Sequence, residues 1–173
     1  MTDTTMLVIL AKSGDVEAFA QLYDYYSTDM FRYASYLLNS PLDAEDAVQE
    51  TVLSAFRKIN SLEKNEAFKS WLFKILTNCC KNILKIRGKT PDSLPEDEYF
   101  FSIKDDTLSD TGAALELTEA IKSLPPPDGQ IVLLSVLGGF KSHELAQIFQ
   151  MPAGTVRSKL KRSLERLRTM LPA

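Results

Sequence analysis

Histidine and tryptophan occur once each, and cysteine only as the neighbouring pair Cys79-Cys80, in a chain of 173 residues. Two adjacent thiols make neither a disulfide framework nor the spaced ligand pairs of a zinc site, and they suit a reducing compartment. A lone His143, with no glycine-rich phosphate loop and no Ser/His/Asp, Cys/His or metal-spaced set, offers no constellation for acid-base, nucleophilic or metal-assisted catalysis. The expectation is therefore a protein that is not an enzyme and holds no metal and no cofactor. Only seven glycines are present, and strict apolar/polar alternation is nearly absent while apolar residues recur at three- and four-residue steps, which predicts an all-α fold. No apolar run approaches the roughly 18 to 20 residues of a membrane span, and Met1 to Asp15 has neither the basic lead-in nor the small-residue cleavage site of a secretory signal. These absences predict a cytoplasmic protein with no membrane insertion.

What is present is an ordinary globular composition, 45% hydrophobic and 25% charged, enough for one domain or two small ones. The net charge of −3 argues at first against nucleic acid, since phosphate binding relies on Lys and Arg. Its distribution reverses that impression. Residues 1–67 carry 11 acids against 5 bases, 68–90 carry 6 bases and no acid, 91–118 carry 8 acids against 1 base, and 119–173 carry 8 bases against 4 acids. Two basic segments with acidic sequence before and between them suggest two nucleic-acid surfaces and one surface for something else.

The apolar periodicity places a first long helix from about Asp15 to Leu38, with Phe19, Leu22, Tyr23, Tyr26, Met30, Tyr33, Ala34 and Leu37 on one stripe. Ser40-Pro41-Leu42-Asp43 then reads as a helix start, with Ser40 as N-cap, Pro41 in the first turn and Asp43 near the positive end of the dipole. That helix continues through Ala47, Val48, Val52, Leu53 and Phe56 to about Ile59. A loop over residues 60–65 precedes a third helix, Ala67 to about Ile86, whose apolar stripe is Phe68, Leu72, Ile75, Leu76, Cys79, Ile83 and Leu84. The prolines and acids that follow read as a linker. Further helices are expected near 113–123, 128–137, 142–149 and 153–171, with no internal repeat.

Ser142 to Phe149, the turn Gln150-Met151-Pro152 and the helix from Ala153 have the layout of a helix-turn-helix. Leu145, Ala146, Ile148 and Phe149 can pack inward. On the second helix Val156, Leu160, Leu164, Leu167 and Leu171 form the expected buried stripe, leaving Arg157, Ser158, Lys161, Arg162 and Glu165 outside. A recognition helix needs donors for phosphates and base edges on one side and an apolar anchor on the other, and this helix supplies both. A solvated surface helix has a charged face too.

Four segments in order then resemble extracytoplasmic-function (ECF) sigma factors of the sigma-70 family. They are Gly14-Asp15-Val16-Glu17-Ala18-Phe19-Ala20-Gln21-Leu22-Tyr23, Asp43-Ala44-Glu45-Asp46-Ala47-Val48-Gln49-Glu50-Thr51, Phe68-Lys69-Ser70-Trp71-Leu72-Phe73-Lys74-Ile75 and Gly154-Thr155-Val156-Arg157-Ser158-Lys159-Leu160. The resemblance implies two small helical domains, over 1–88 and 112–173, joined by an acidic linker over 89–111. It implies an alternative sigma factor that binds core RNA polymerase and directs promoter-specific transcription initiation. The implied partners are the clamp helices of the polymerase's largest subunit, the flap of its β subunit and promoter DNA, with room for an anti-sigma factor.

By position, Asp46, Gln49, Glu50 and Leu53 match the clamp contacts; Asp43, Glu45, Asp46 and Glu50 would give that helix an acidic surface, which a merely solvated face would share. The third helix and the loop before it match the minus-ten reader, where an unstacked base needs a pocket and the separated strand needs positive charge. Asn60, Ser61 and Leu62 would form the pocket, and Lys69, Lys74, Asn78, Lys81 and Asn82 would track the strand. Trp71 either stacks on a base or packs in the core, the commoner place for an aromatic at helical spacing. Arg157, Ser158, Lys161 and Arg162 match the minus-thirty-five contacts. The chain departs from the pattern at Pro125-Pro126-Pro127-Asp128-Gly129-Gln130 and at Lys141-Ser142-His143, which puts the flap contacts nearby in doubt. Two rivals stand beside this reading: a helix-turn-helix repressor or activator that binds duplex DNA alone as a dimer, and a decoy that binds polymerase without DNA, which the basic segments disfavour.

Overall fold

The computed structural model describes residues 3–88 and 111–171, and every regular element among them is helical. The first half comprises α1 (Thr4–Lys12), α2 (Val16–Leu38), α3 (Pro41–Lys58) and α4 (Phe68–Ile86), with 3-10 turns at Ile59–Ser61 and Asn65–Ala67 between the last two. The second comprises α5 (Thr111–Lys122), α6 (Asp128–Leu137), α7 (Ser142–Phe149) and α8 (Ala153–Met170). The expected acidic linker lies, except for Thr111, outside the described residues.

Short polar side chains set the helix starts. The Asp15 carboxylate accepts the Ala18 N–H at 3.1 Å and the Ser40 hydroxyl accepts that of Asp43 at 3.3 Å, each satisfying a donor the first turn leaves open. Asn39 closes α2 in the left-handed region at φ 50°, a conformation Asn tolerates better than most residues. Helix α1 was not anticipated by periodicity. Asp3 caps it by accepting the Thr5 N–H at 3.0 Å, and Leu7, Val8 and Ala11 bury its inner face.

The buried stripes differ from the expected ones in ways the packing explains. On α2 the stripe holds, except that Tyr23 is exposed, and Tyr36 and Leu38 are buried as well. On α4 the core residues are Phe68, Leu72, Phe73, Leu76, Cys80 and Leu84, while Ile75, Cys79 and Ile83 are only partly covered. The helix is covered from two sides, by α2 and α3 and by the second half of the chain, so its apolar arc turns towards Phe73 and Cys80. On α8, Leu164 is exposed and Ser163 is buried in its place. The small serine lets the helix lie close to its neighbours where a leucine would hold it off.

The two halves share a continuous core. Phe140, carried by the turn between α6 and α7, lies edge-on to Phe73 at 4.9 Å, with the Lys69 ammonium 4.1 Å from its ring centroid. Lys69 also donates to the Gly138 carbonyl. Gly139 turns the chain at φ 62°, where a side chain would be strained. Further along, the Tyr36 hydroxyl of α2 donates to the Ile121 carbonyl at 3.5 Å and lies over the buried Gly129, where an added Cβ would stand 2.2 Å from the Tyr36 oxygen and 2.9 Å from the Ile121 carbonyl. Burial pushes the Tyr36 phenol up to about 12.

Gly129→Ala is therefore expected to destabilise the protein by about 1–3 kcal/mol. Adding Tyr36→Phe should recover only part of that loss, because the Ile121 carbonyl stays in the way. Urea denaturation of the single and double variants checks this, and an unchanged midpoint for Gly129→Ala would show that the two halves do not meet this closely.

Candidate nucleic-acid interface

Helices α7 and α8 meet across a turn that the backbone enforces. Gln150 adopts the left-handed conformation at φ 53° and closes α7 through its N–H on the Ala146 carbonyl; Pro152 then precedes the first residue of α8 at an extended ψ of 142°. The Glu144 carboxylate accepts the Lys141 N–H at 2.7 Å and fixes the entry to α7. Leu145 and Ile148 are buried, with Ala146 and Phe149 partly so.

Val156 and Leu167 anchor α8 from below, which leaves Arg157, Ser158, Lys161 and Arg162 exposed on its outer face. Arg162 folds back to donate from Nε to the Ser158 carbonyl at 3.3 Å. Lys159 turns the other way and pairs with Asp128 of α6 at 3.4 Å, tying α8 to the layer beneath. All four expected minus-thirty-five residues thus share one accessible surface.

The eight expected minus-ten residues do not. Asn60 and Ser61 are exposed at the loop, but the Leu62 side chain is 5% exposed and belongs to the core, so Leu62 contributes backbone to any pocket. Ser61 and Leu62 line a cleft of about 540 Å³ with Glu63, Lys64, Trp71, Lys74 and, from α7, Gln147. Trp71 is half-buried, its ring 5.8 Å from Phe68, with one side open to this cleft. Among the cleft residues outside the expected minus-ten set, Lys64 supplies a positive charge and Trp71 a flat ring. Lys69 is not free to track a strand, being held by Gly138 and Phe140.

Asn78 and Asn82 lie in a different groove of about 580 Å³, facing Asp46, Glu50, Ser54 and Lys58 of α3. Each four-residue step advances about 40° around a helix, so the line from Lys74 through Asn78 to Asn82 rotates out of the cleft towards α3. Lys81 is exposed outside both.

On α3, Asp46, Gln49, Glu50 and Leu53 are all exposed. Asp43 is not part of that acidic surface: it is buried, and its carboxylate pairs with Arg87 at the end of α4. This pair joins the start of α3 to the end of α4, and an acid in a first turn gives no sign from sequence of a partner 44 residues away. Leu42, Leu53 and Phe56 are at least half exposed. Among the described residues no three His, Cys, Asp or Glu side chains converge as metal ligands, and no helix is long and apolar enough to cross a membrane.

The chain matches the Sigma-70 region 2 family over residues 22–90 and the Sigma-70, region 4 family over residues 114–167. It is 30% identical over 174 residues to the ECF RNA polymerase sigma factor SigW of Bacillus subtilis, covering 92% of each chain. It is likewise 30% identical over 176 residues to the ECF RNA polymerase sigma-E factor of Escherichia coli K12, covering 92% of this chain and 90% of the relative. Among solved structures it resembles CnrH in complex with the cytosolic domain of CnrY, at a TM-score of 0.70 and 18% identity over 97% of each chain. The sigma factor RpoE in complex with the anti-sigma factor NepR, from Bartonella quintana, gives a TM-score of 0.68 at 24% identity over 90% of this chain and 97% of that one. At these identities the two structures speak for the fold.

Cys79 is partly buried in the groove against α3, and Cys80 is buried in the core. Burial raises the Cys79 thiol above its ordinary value and raises the more deeply buried Cys80 further. A raised thiol pKa means less thiolate at neutral pH and slower reaction. Maleimide labelling of the native protein at pH 7 should therefore be slow at Cys79 and confined to unfolded molecules at Cys80. Between pH 8 and 9.5 the Cys79 rate should keep climbing where free cysteine levels off, as Cys79→Ser and Cys80→Ser variants read by mass would show.

Proposed function

The chain belongs to the extracytoplasmic-function class of the sigma-70 family, as an alternative sigma factor directing promoter-specific transcription initiation, and from that premise we propose how its residues divide the work. It acts as a non-catalytic subunit of RNA polymerase in the cytoplasm. Residues 1–88 form the domain that docks on the polymerase and opens the minus-ten element, residues 112–173 form the domain that reads minus-thirty-five DNA and binds the flap, and 89–111 connect them.

The observation that carries this division is the separation of two accessible basic surfaces, on α8 and beside the loop before α4, from an acidic and apolar stripe on α3. Leu42, Asp46, Gln49, Leu53 and Phe56 follow one another at steps of four, three, four and three along the exposed side of α3. That is the spacing with which one helix packs along another, and it suits a partner made of helices, such as the clamp helices of the largest subunit. A helix that only bathed in solvent would have no use for three large apolar side chains on that face.

On the DNA side, the cleft between the loop and α7 supports a revised strand path. An unpaired base entering beside Ser61 and the Leu62 backbone would meet the open side of Trp71, with Lys64 and Lys74 near its phosphates. Asn78 and Asn82 face the carboxylates of α3, so they serve the border between the polymerase and DNA surfaces. Lys69 joins the strand path only when α7 leaves α4. Arg157 suits bidentate contact with a guanine edge in the major groove, whereas Ser158, Lys161 and Arg162 suit phosphates. The RpoE of Bartonella quintana is held by an anti-sigma factor in its structure, and an anti-sigma factor is a partner class we include for this chain.

Run-off transcription with core polymerase on a genomic promoter pool tests the reading as a whole: a subset of promoters should fire only when the chain is added. Placing positive charge on α3 with Gln49→Lys and Glu50→Lys together should weaken core binding about tenfold with little change in stability, since both side chains are exposed. Unchanged core affinity would remove α3 from the docking surface. Arg157→Ala should weaken holoenzyme binding to a selected promoter by about 1–3 kcal/mol. Equal loss on random DNA would assign Arg157 to a phosphate instead.

A further inference from the structure

We propose that Lys12, the last residue of α1, is a positioning residue for minus-ten recognition: its ammonium holds the Leu62 carbonyl and thereby sets the loop that reads the unstacked base. The inference rests on the assignment of that loop as the minus-ten reader. Lys12 lies before residue 22, where the match to sigma-70 region 2 begins.

The geometry singles out Lys12. Its Nζ donates to the Leu62 carbonyl oxygen at 2.5 Å, across 50 residues of sequence and in a partly buried setting. The bland role for a lysine at a helix end is to cover the terminal carbonyls. In α1 three of those carbonyls are already taken: the Ser13 N–H serves Ile9 and Leu10, the Gly14 N–H serves Ala11 and the Asp15 N–H serves Leu10, while the Ser13 hydroxyl donates to Leu10 at 2.7 Å. A phosphate contact is no better, because the ammonium is turned inward onto a backbone oxygen.

What Lys12 holds is the fixed point of the loop. The Leu62 N–H donates to the Ile59 carbonyl at 3.2 Å, its side chain is 5% exposed in the core, and its carbonyl accepts from Lys12. All three of its groups are anchored, whereas Asn60, Ser61, Glu63 and Lys64 on either side are exposed. α1 lies against both 3-10 turns that flank this point. The cleft beside Trp71 and Lys74 is bounded by Ser61 to Lys64, so its shape follows from where the Leu62 backbone stands. A site that discriminates bases needs its walls held within about 0.5 Å. A charged donor on a partly buried carbonyl holds more firmly than a neutral one.

The test uses holoenzyme reconstituted from core polymerase and the full chain, with a pool of single-stranded DNA randomised across the minus-ten segment. Wild type should enrich one base at one position or more. Lys12→Met, which keeps the aliphatic stem and removes the donor, should lower that enrichment about tenfold at the loop-read position while core affinity and thermal midpoint stay near wild type; Lys12→Arg should restore most of it. Wild-type enrichment by Lys12→Met overturns the proposal, and so does a loss matched by an equal loss of core affinity, which would make Lys12 a support of the whole domain. An Asn60→Ala, Ser61→Ala double variant separates the two levels. If its base preferences equal those of wild type, or if wild type has none, the loop is not the reader and the assignment beneath the proposal fails. If that double variant loses its preference while Lys12→Met keeps it, the positioning role alone is wrong.

Discussion

Helix α4 is packed on by α2, by α3 and by α7 of the second half. Its inner face meets α2, where the Tyr33 and Thr77 hydroxyls share a buried hydrogen bond of 3.0 Å and burial raises the Tyr33 phenol above its ordinary value. Its end meets the start of α3 through Arg87 and Asp43. Its early turns meet the turn between α6 and α7 through Phe73 on Phe140 and α7 itself through Ser70, which donates to the Gln147 side chain at 2.9 Å. What is left fully to solvent lies in its second half, at Asn78, Lys81, Asn82 and Lys85 to Arg87. Nearer the loop, the half-buried Trp71 and Lys74 reach a ligand only through the cleft where the covering elements part.

That constraint explains what was legible in the sequence. The helices that announced themselves have a readable apolar period, and α2 and α3 also have side-chain caps, Asp15 and Ser40; α8 starts after Pro152, which caps it with no side chain. The helix α1 was hidden because Met6 to Leu10 is an unbroken apolar run, which carries no period to read; only the partner decides that Leu7 and Val8 go in while Met6, Ile9 and Leu10 stay partly out. On α4 the period was clear, but one period cannot report two covering surfaces. Phe73 and Cys80 were missed for that reason, and Lys69, expected to follow DNA, is held by Gly138 and Phe140 of the turn before α7.

The candidate sites divide the same way. On α8 the exposure of Arg157, Ser158, Lys161 and Arg162 was legible because amphipathicity and exposure nearly coincide there, with Leu164 and Ser163 the exceptions. The minus-ten set was drawn from the basic face of α4 as though that face were continuous. In space it is cut into three by its neighbours: the loop before α4, the carboxylates of α3 and the turn carrying Phe140. Charge type was readable from composition, whereas the assignment of each charge to a neighbour was not. Asp43 and Lys69 are the two residues whose partners, Arg87 and the Gly138 carbonyl, remove them from the surfaces their charges suggested.

The sign of the remaining charges then decides where a single strand can run. A phosphate about 5 Å from a carboxylate loses roughly 0.8 kcal/mol even in water, and the groove beside Asn78 and Asn82 is walled by Asp46 and Glu50. A strand leaving the loop therefore gains more by passing Lys64 and Lys74 than by crossing towards α3. That path leads along the cleft whose far wall is Gln147 and Gln150 of α7, beside the Ser70–Gln147 hydrogen bond. The surface that single-stranded DNA would follow and the surface that α7 covers are thus adjacent and partly the same. A strand that goes beyond Lys74 towards Lys69 must displace α7, exchanging the Ser70–Gln147 bond and the Phe140 contacts for phosphate contacts. For a strand that reached Lys69, opening of the two halves and engagement of that lysine would be one coupled step.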